Sequence, residues 1–196
     1  MNLEQRLQDA IEPYRLLNHP FYQAWSEGTL PIEKLRVYAE EYGALVGLLP
    51  MGWTVQNDEE TQHEEEEHIE LWEEFAHGLD THAGEGTIAQ TKTLVETTRR
   101  LFGNRATALG ALYAFEVQQP ETASSKLDGL RQFYSLPTEV EPYFIEHSKN
   151  HHEAEKLIAR LTQLSDEDQA IAIAACGEMA KALYDALTGI HGEAAA

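Results

Sequence analysis

Histidines and glutamates crowd two segments of this chain. The first is Glu59-Glu60-Thr61-Gln62-His63-Glu64-Glu65-Glu66-Glu67-His68, and the second is His147-Ser148-Lys149-Asn150-His151-His152-Glu153-Ala154-Glu155. Between them Glu116 stands alone among Leu109, Leu112, Tyr113 and Phe115. Helix positions four apart share a face, so Glu60, Glu64 and His68 align, as do His147, His151 and Glu155. Imidazoles and carboxylates converging from separate helices are the raw material of a non-haem iron or di-metal centre. A lone carboxylate in an apolar helix is costly, and a metal or a cationic partner would offset that cost, which makes Glu116 the best bridging or terminal carboxylate candidate. Plainer readings stand beside these. A glutamate run is most often a solvated helix face. His63, His77, His82 and His191 read as bystanders, and consecutive His151 and His152 cannot both face inward. Tyr22, Trp25, Tyr38, Tyr42, Trp53, Trp72 and Tyr113 are by default core, and Lys126 is by default a surface lysine.

The elements that must position these residues read as helices. Leu3, Leu7, Ile11 and Tyr14 recur at helical spacing, and Asn18-His19-Pro20 breaks that first helix. Phe21 to Glu27 is a short helix stopped by Gly28. A stripe of Leu35, Tyr38, Tyr42, Leu45 and Leu49 ends at Pro50. The pattern predicts one long helix from about Trp53 to Leu79, then helices over 87–102, 105–119 and 124–134. A further helix opens at Pro137-Thr138, carries His147 and runs to Leu164. Ser165-Asp166-Glu167-Asp168 is an acidic N-cap for a last helix over 169–187. No stretch has the alternation or turn signals of strands. The expected fold is all-α: a single domain spanning 1–196, a bundle of about seven or eight helices, with residues 191–196 a frayed tail.

Composition narrows the partners. Acidic residues outnumber basic ones 34 to 14 in 196 residues, for a net charge of −20. That balance argues against nucleic acid and against anionic membrane surfaces. The single cysteine, Cys176, leaves no intramolecular disulfide and fits a reducing compartment. No apolar run approaches the ~20 residues of a membrane span, and Met1-Asn2-Leu3-Glu4-Gln5-Arg6 lacks the start of a signal peptide, so a cytoplasmic location is expected.

Several segments together carry a family resemblance. His19-Pro20-Phe21-Tyr22-Gln23-Ala24-Trp25-Ser26-Glu27-Gly28-Thr29-Leu30, Leu35-Arg36-Val37-Tyr38-Ala39-Glu40-Glu41-Tyr42 and Leu49-Pro50 resemble the opening of the TenA/PqqC group, which has the haem-oxygenase-like helical fold. His68-Ile69-Glu70-Leu71-Trp72-Glu73-Glu74-Phe75, followed by Gly78-Leu79, resembles its metal-binding branch, the haem-oxygenase-like di-metal oxidases. Within that branch the chain resembles the 4-aminobenzoate synthase type, the group of the Chlamydia protein associating with death domains. The resemblance spans about Leu3 to Leu187.

By position, the resemblance implies that His68, Glu116 and His147 match family metal ligands. The preceding ligand glutamate could be Glu59, Glu60 or Glu64; Glu64, one turn from His68, is favoured. His151 falls where the family has Asp, and Ala154 where it has a last His, so His152 or Glu155 would have to complete the site. The implied ligand set is Glu64, His68, Glu116, His147 and His151, holding iron as an Fe/Fe or Mn/Fe pair with O2 as co-substrate. Tyr22 falls at the tyrosine that supplies the product ring in self-sacrificing 4-aminobenzoate synthases, and Lys126, ten residues after Glu116, at the lysine implicated as the amine source. Tyr38 and Tyr42 match aromatic positions near that pocket. The segment from Pro50 to Glu59 is shorter than in the family. A homodimer is expected by the same resemblance. Two alternatives stay open: a metal-free TenA-like or PqqC-like enzyme working by acid–base chemistry with Glu116 and the tyrosines, or a non-catalytic binding member of the fold. The TenA thiaminase nucleophile is a mid-chain cysteine, whereas Cys176 falls in the last helix.

Overall fold

A computed structural model describes residues 2–149 and 152–192. The chain is all-α, with eleven α-helices and no strand among the described residues. They are α1 (Leu3–Ile11), α2 (Pro20–Ser26), α3 (Ile32–Val46), α4 (Leu49–Val55), α5 (Glu59–His77), α6 (Ala89–Leu101), α7 (Arg105–Glu116), α8 (Gln119–Phe133), α9 (Pro142–His147), α10 (His152–Thr162) and α11 (Asp166–His191). The count exceeds the expected seven or eight, in part because two long predicted helices are each divided. Among the described residues no helix is long and apolar enough to cross a membrane.

The first division falls at residues 56–58. Asn57 adopts a left-handed conformation (φ 54°), which ends α4, and the Asp58 carboxylate accepts from the Thr61 amide (3.2 Å) to cap α5. Leu49 and Pro50 therefore open α4 rather than close the stripe of α3, which ends at Val46. The second division separates His147, the last residue of α9, from His152, the first of α10. Ser148 Oγ donates to the Ile145 carbonyl (2.9 Å), a local bond that competes with continued helix. His147 and the residues from His152 onward consequently do not share one helical face.

Two helices form the spine. α11 packs along α7 and also touches α6 and α1. α7 is buried on nearly every side, from Ala106 to Glu116. Gly110 permits its close approach to α11, since a Cβ there would lie 1.9 Å from the Ala172 carbonyl oxygen. Glu41 of α3 is buried for a similar structural reason: its carboxylate accepts from the Thr87 and Ile88 amides and so caps α6 from outside. Around this spine α10 packs on α7, α5 packs on α3, α4 and α9, and α8 packs on α2 and α9.

Candidate metal centre

The phase of α5 decides which of its glutamates turns inward. Thr61, Glu65, His68, Trp72, Phe75 and Ala76 form its buried face. Glu65 and His68, one turn apart, thus point the same way, and Glu65 Oε2 lies 3.3 Å from His68 Nδ1. Glu64 sits on the flank of the helix, in a cleft group with His152 and Glu153. His147, at the end of α9, faces His68 with the ring centroids 4.4 Å apart. One ligand atom each from Glu65, His68 and His147 lie within 4.8 Å of one another, all three residues buried. Glu116, at the end of α7, and Glu153, in the first turn of α10, are exposed by only 3 % and 2 % and lie near enough to Glu65 for their charges to interact with it.

The tautomer of His147 suits cation binding. His147 Nδ1 lies 2.8 Å from the Tyr143 carbonyl oxygen. A carbonyl can only accept, so Nδ1 carries the proton and Nε2 keeps a free lone pair. Burial, reinforced by His68, lowers the His147 pKa to about 3, so the ring is neutral. Burial alone would also lower that of His68, but the hydrogen bond and charge of Glu65, with Glu153 and Glu146, raise it instead. Burial holds the Glu116 carboxyl well above the usual carboxylate range, and Glu65 and Glu153 push it further. Glu116 Oε1 and Glu153 Oε2 are buried without a hydrogen-bond partner. Crowded carboxylates with orphaned buried oxygens are costly alone and are relieved by a cation between them. Three carboxylates and two imidazoles form a donor set that iron or manganese accepts. The residues present therefore fit such a metal.

A second cluster lies deeper in the core. Tyr22 of α2 and Tyr38 of α3 meet with their hydroxyl oxygens 3.0 Å apart. Lys126 of α8, only 3 % exposed, donates from Nζ to Tyr38 Oη (3.2 Å). Its ammonium nitrogen stands 5.0 Å from the Tyr22 ring centre and 5.2 Å from that of Phe144. Burial pushes the Lys126 amine down to about 7. The same burial, with neighbouring tyrosines, holds the phenols of Tyr22, Tyr38 and Tyr42 well above their ordinary value. The default reading of Lys126 as a surface residue fails because α8 lays it against Tyr22 and Phe144. Aromatic rings link the two clusters: Tyr143 stacks on His147 (4.1 Å), Trp72 meets Tyr143 (4.8 Å) and Tyr42 (5.9 Å), and Tyr42 stacks on Tyr38 (4.9 Å).

The structure thus gathers His68 and His147 at one centre, with Glu116 buried nearby, and Tyr22, Tyr38, Tyr42 and Lys126 in one adjoining cluster. His151 lies outside the described residues. Glu155 is exposed and turned away, lining a different groove with Ala154 and Ile158. Glu65 and Glu153 are the two inward carboxylates that sequence reasoning passed over. Glu153 carried a signal, because it heads the buried stripe Glu153, Leu157, Leu161 of α10 at four-residue spacing. Cys176 is buried in α11, and burial pushes its thiol up to about 12, which excludes a thiolate nucleophile near neutrality.

An interior carboxylate–imidazole group thus sits inside an all-helical bundle. A family described as "Iron-containing redox enzyme" matches residues 51–184, and the TENA/THI-4/PQQC family matches residues 4–47. The chain belongs to the iron-containing redox enzyme family and is an oxidoreductase. It is 34 % identical to a 4-aminobenzoate synthase of Nitrosomonas europaea, over 96 % of this chain and 90 % of that protein. A 4-aminobenzoate synthase of Chlamydia pneumoniae is 29 % identical, over 73 % of each chain. Among solved structures, a TenA homologue from Pseudomonas syringae superposes with a TM-score of 0.78 at 16 % identity, covering 96 % of this chain and 92 % of that one. A domain with a haem-oxygenase-like fold from Shewanella denitrificans gives 0.74 at 17 % identity, covering 96 % and 90 %. These two likenesses establish the fold.

Proposed function

We propose that this chain is a self-sacrificing 4-aminobenzoate synthase, in which Tyr22 provides the aromatic ring and Lys126 the nitrogen. Glu65, His68, Glu116, His147 and Glu153 would hold iron, and bound iron would supply the redox equivalents that couple the reaction to dioxygen. The observation that carries the reading is the buried amine of Lys126 against the Tyr22 ring, beside a carboxylate–imidazole centre. A lysine with a pKa near 7 is about half neutral at neutral pH, so its lone pair is available without an external base. Tyr38 orients both partners, accepting from Lys126 Nζ (3.2 Å) and pairing with the Tyr22 hydroxyl (3.0 Å). Phe21, Trp25 and Phe144 surround them and exclude water.

The test uses protein grown with ring-labelled tyrosine and, separately, nitrogen-labelled lysine. It is loaded anaerobically with Fe(II), then exposed to a reductant and O2. Mass spectrometry of the released small molecules should find 4-aminobenzoate carrying both labels, and none from Tyr22→Phe at unchanged metal content. Unlabelled product, or product from Tyr22→Phe, would overturn the assignment. The metal-free acid–base reading is favoured by one observation, the carboxyl of Glu116, which burial holds well above the usual carboxylate range and so favours as a proton donor. That reading requires activity to survive chelation.

A further inference from the structure

Tyr22 is carried by a helix too short to hold itself. α2 has seven residues, Pro20–Ser26, and an isolated helix of that length is unstable in water, so outside contacts must set its position. At its far end Trp25 is pressed on α8, where a Cβ at Gly129 would lie 2.8 Å from the indole ring. At its near end stands His19, only 2 % exposed and with both ring nitrogens engaged. The Phe21 amide donates to Nδ1 (3.0 Å), so Nδ1 is bare and the proton of the neutral ring is on Nε2. Nε2 therefore donates to Thr188 Oγ1 of α11 (3.0 Å), and that hydroxyl donates onward to the Tyr184 carbonyl (3.3 Å). The Tyr184 ring meets the imidazole edge-on at 4.5 Å and fixes its plane. Burial, with His191 adding to it and Asp185 opposing, lowers the His19 pKa to about 4, which keeps the ring neutral at neutral pH.

Ser, Asp or Asn would cap α2 as well, because each offers an acceptor to an amide of the first turn. Their short side chains would not also span the distance to α11. A neutral imidazole carries an acceptor and a donor on one rigid ring, and so makes both bonds at once. We infer that His19 is a positioning residue for the proposed reaction: it ties the first turn of α2 to Thr188 of α11 and so holds the Tyr22 ring against the Lys126 amine. Tyr22 follows one turn after His19 and lies between the two anchors, so any slide or rotation of α2 moves its ring directly. That ring centre is 5.0 Å from Lys126 Nζ, and its hydroxyl is 3.0 Å from that of Tyr38. A misplacement of about 1 Å between two reacting groups is enough to remove most of the rate. The inference rests on the reading of Tyr22 and Lys126 as the reacting pair.

Four variants test it. Thr188→Val keeps the size of the side chain and the cap of α2 but removes the tie, and His19→Asn does the same from the other side. Thr188→Ser keeps both bonds. Ser165→Ala loses the cap at the opposite end of α11 and so controls for a general loss of stability. Each protein is loaded with Fe(II) and assayed for doubly labelled 4-aminobenzoate per bound iron. Separately, each is treated without iron at pH 7 with formaldehyde and cyanoborohydride, and methylation of the Lys126 amine is read by peptide mass spectrometry. Lys126 should stay unmodified in wild type, Thr188→Ser and Ser165→Ala, and become reactive in Thr188→Val and His19→Asn. Product from those two should fall by about tenfold or more at unchanged iron content. Wild-type yield and protection in both Thr188→Val and His19→Asn would overturn the inference, as would equal losses in Ser165→Ala. If wild type releases no labelled product, the functional reading falls and methylation alone decides the tie. Lys126 exposed in the two tie-less variants and protected in the controls would then sustain it, and protection in all four would refute it.

Discussion

Replacing Lys126 by Met should stabilise the protein while abolishing its chemistry. The Lys126 amine is fully enclosed, and burial takes its pKa from an ordinary 10.5 to about 7. The folded-state value lies below the unfolded one, so between those limits the unfolded chain binds more protons. Wild-type stability, measured against the variant, therefore rises with pH through that window. The linkage relation puts the cost of the buried amine at about 4 kcal/mol at pH 7 and about 1 kcal/mol at pH 10. Met has similar reach and no charge to desolvate. The loss of one hydrogen bond to Tyr38 subtracts about 1 kcal/mol from the gain. Lys126→Met should then raise Tm at pH 7 by about 10 °C for a chain of this size, with the gap to wild type shrinking towards pH 10. Urea unfolding of both proteins across that range, followed by circular dichroism, measures the difference directly. A variant that is less stable at pH 7, or a gap that does not change with pH, would be incompatible with a neutral buried amine. Either result would mean the amine is charged and favourably paired, and it would not be the neutral group the proposed chemistry uses.

Other positions give sharp expectations. Gly110→Ala should cost about 3 kcal/mol or more in thermal unfolding, because the new Cβ would lie 1.9 Å from the Ala172 carbonyl oxygen of α11. Asp58→Ala removes the cap of α5 and the ion pairs to Lys156 and Arg160, and should lower stability by about 2 kcal/mol at pH 7. Burial alone would raise the Asp58 carboxyl, but Thr61, Lys156 and Arg160 together hold it below its ordinary value. Its contribution is therefore present above about pH 4 and is lost as pH falls through the lower folded value, so the two proteins should converge in acid. Tyr143→Phe removes a buried hydroxyl with no hydrogen-bond partner and should be neutral or stabilising by up to about 1 kcal/mol in chemical denaturation.

Fold class was legible because helical periodicity persists along most of the chain, and the enclosed spine announced itself in the Ala- and Leu-rich run of α7. The helix breaks were less legible. Asn57 and Ser148 end helices through local geometry and side-chain bonds, which a hydrophobic stripe does not encode. That loss mattered at the centre. Counting four residues back from His68 points to Glu64, but the phase of α5 is fixed by Thr61, Trp72, Phe75 and Ala76, which bring Glu65 inward. A single helix drawn through His147 to Leu164 likewise hides Glu153, whose helix begins anew at His152. The burial of Lys126 could not be read from its neighbours Ser125 and Leu127, since it arises from Tyr22 and Phe144, far away in sequence. Only the family resemblance drew attention to that position.

Iron held by Glu65, His68, Glu116, His147 and Glu153 underlies the chemistry proposed for this chain. Crystals grown anaerobically with Fe(II) and measured on both sides of the iron absorption edge would locate it. An anomalous peak is expected within coordinating distance of His147 Nε2, His68 and Glu65, absent when His147 is replaced by Ala. Well-ordered density for these side chains with no anomalous peak among them, or an undiminished peak in His147→Ala, would show that these residues do not hold iron.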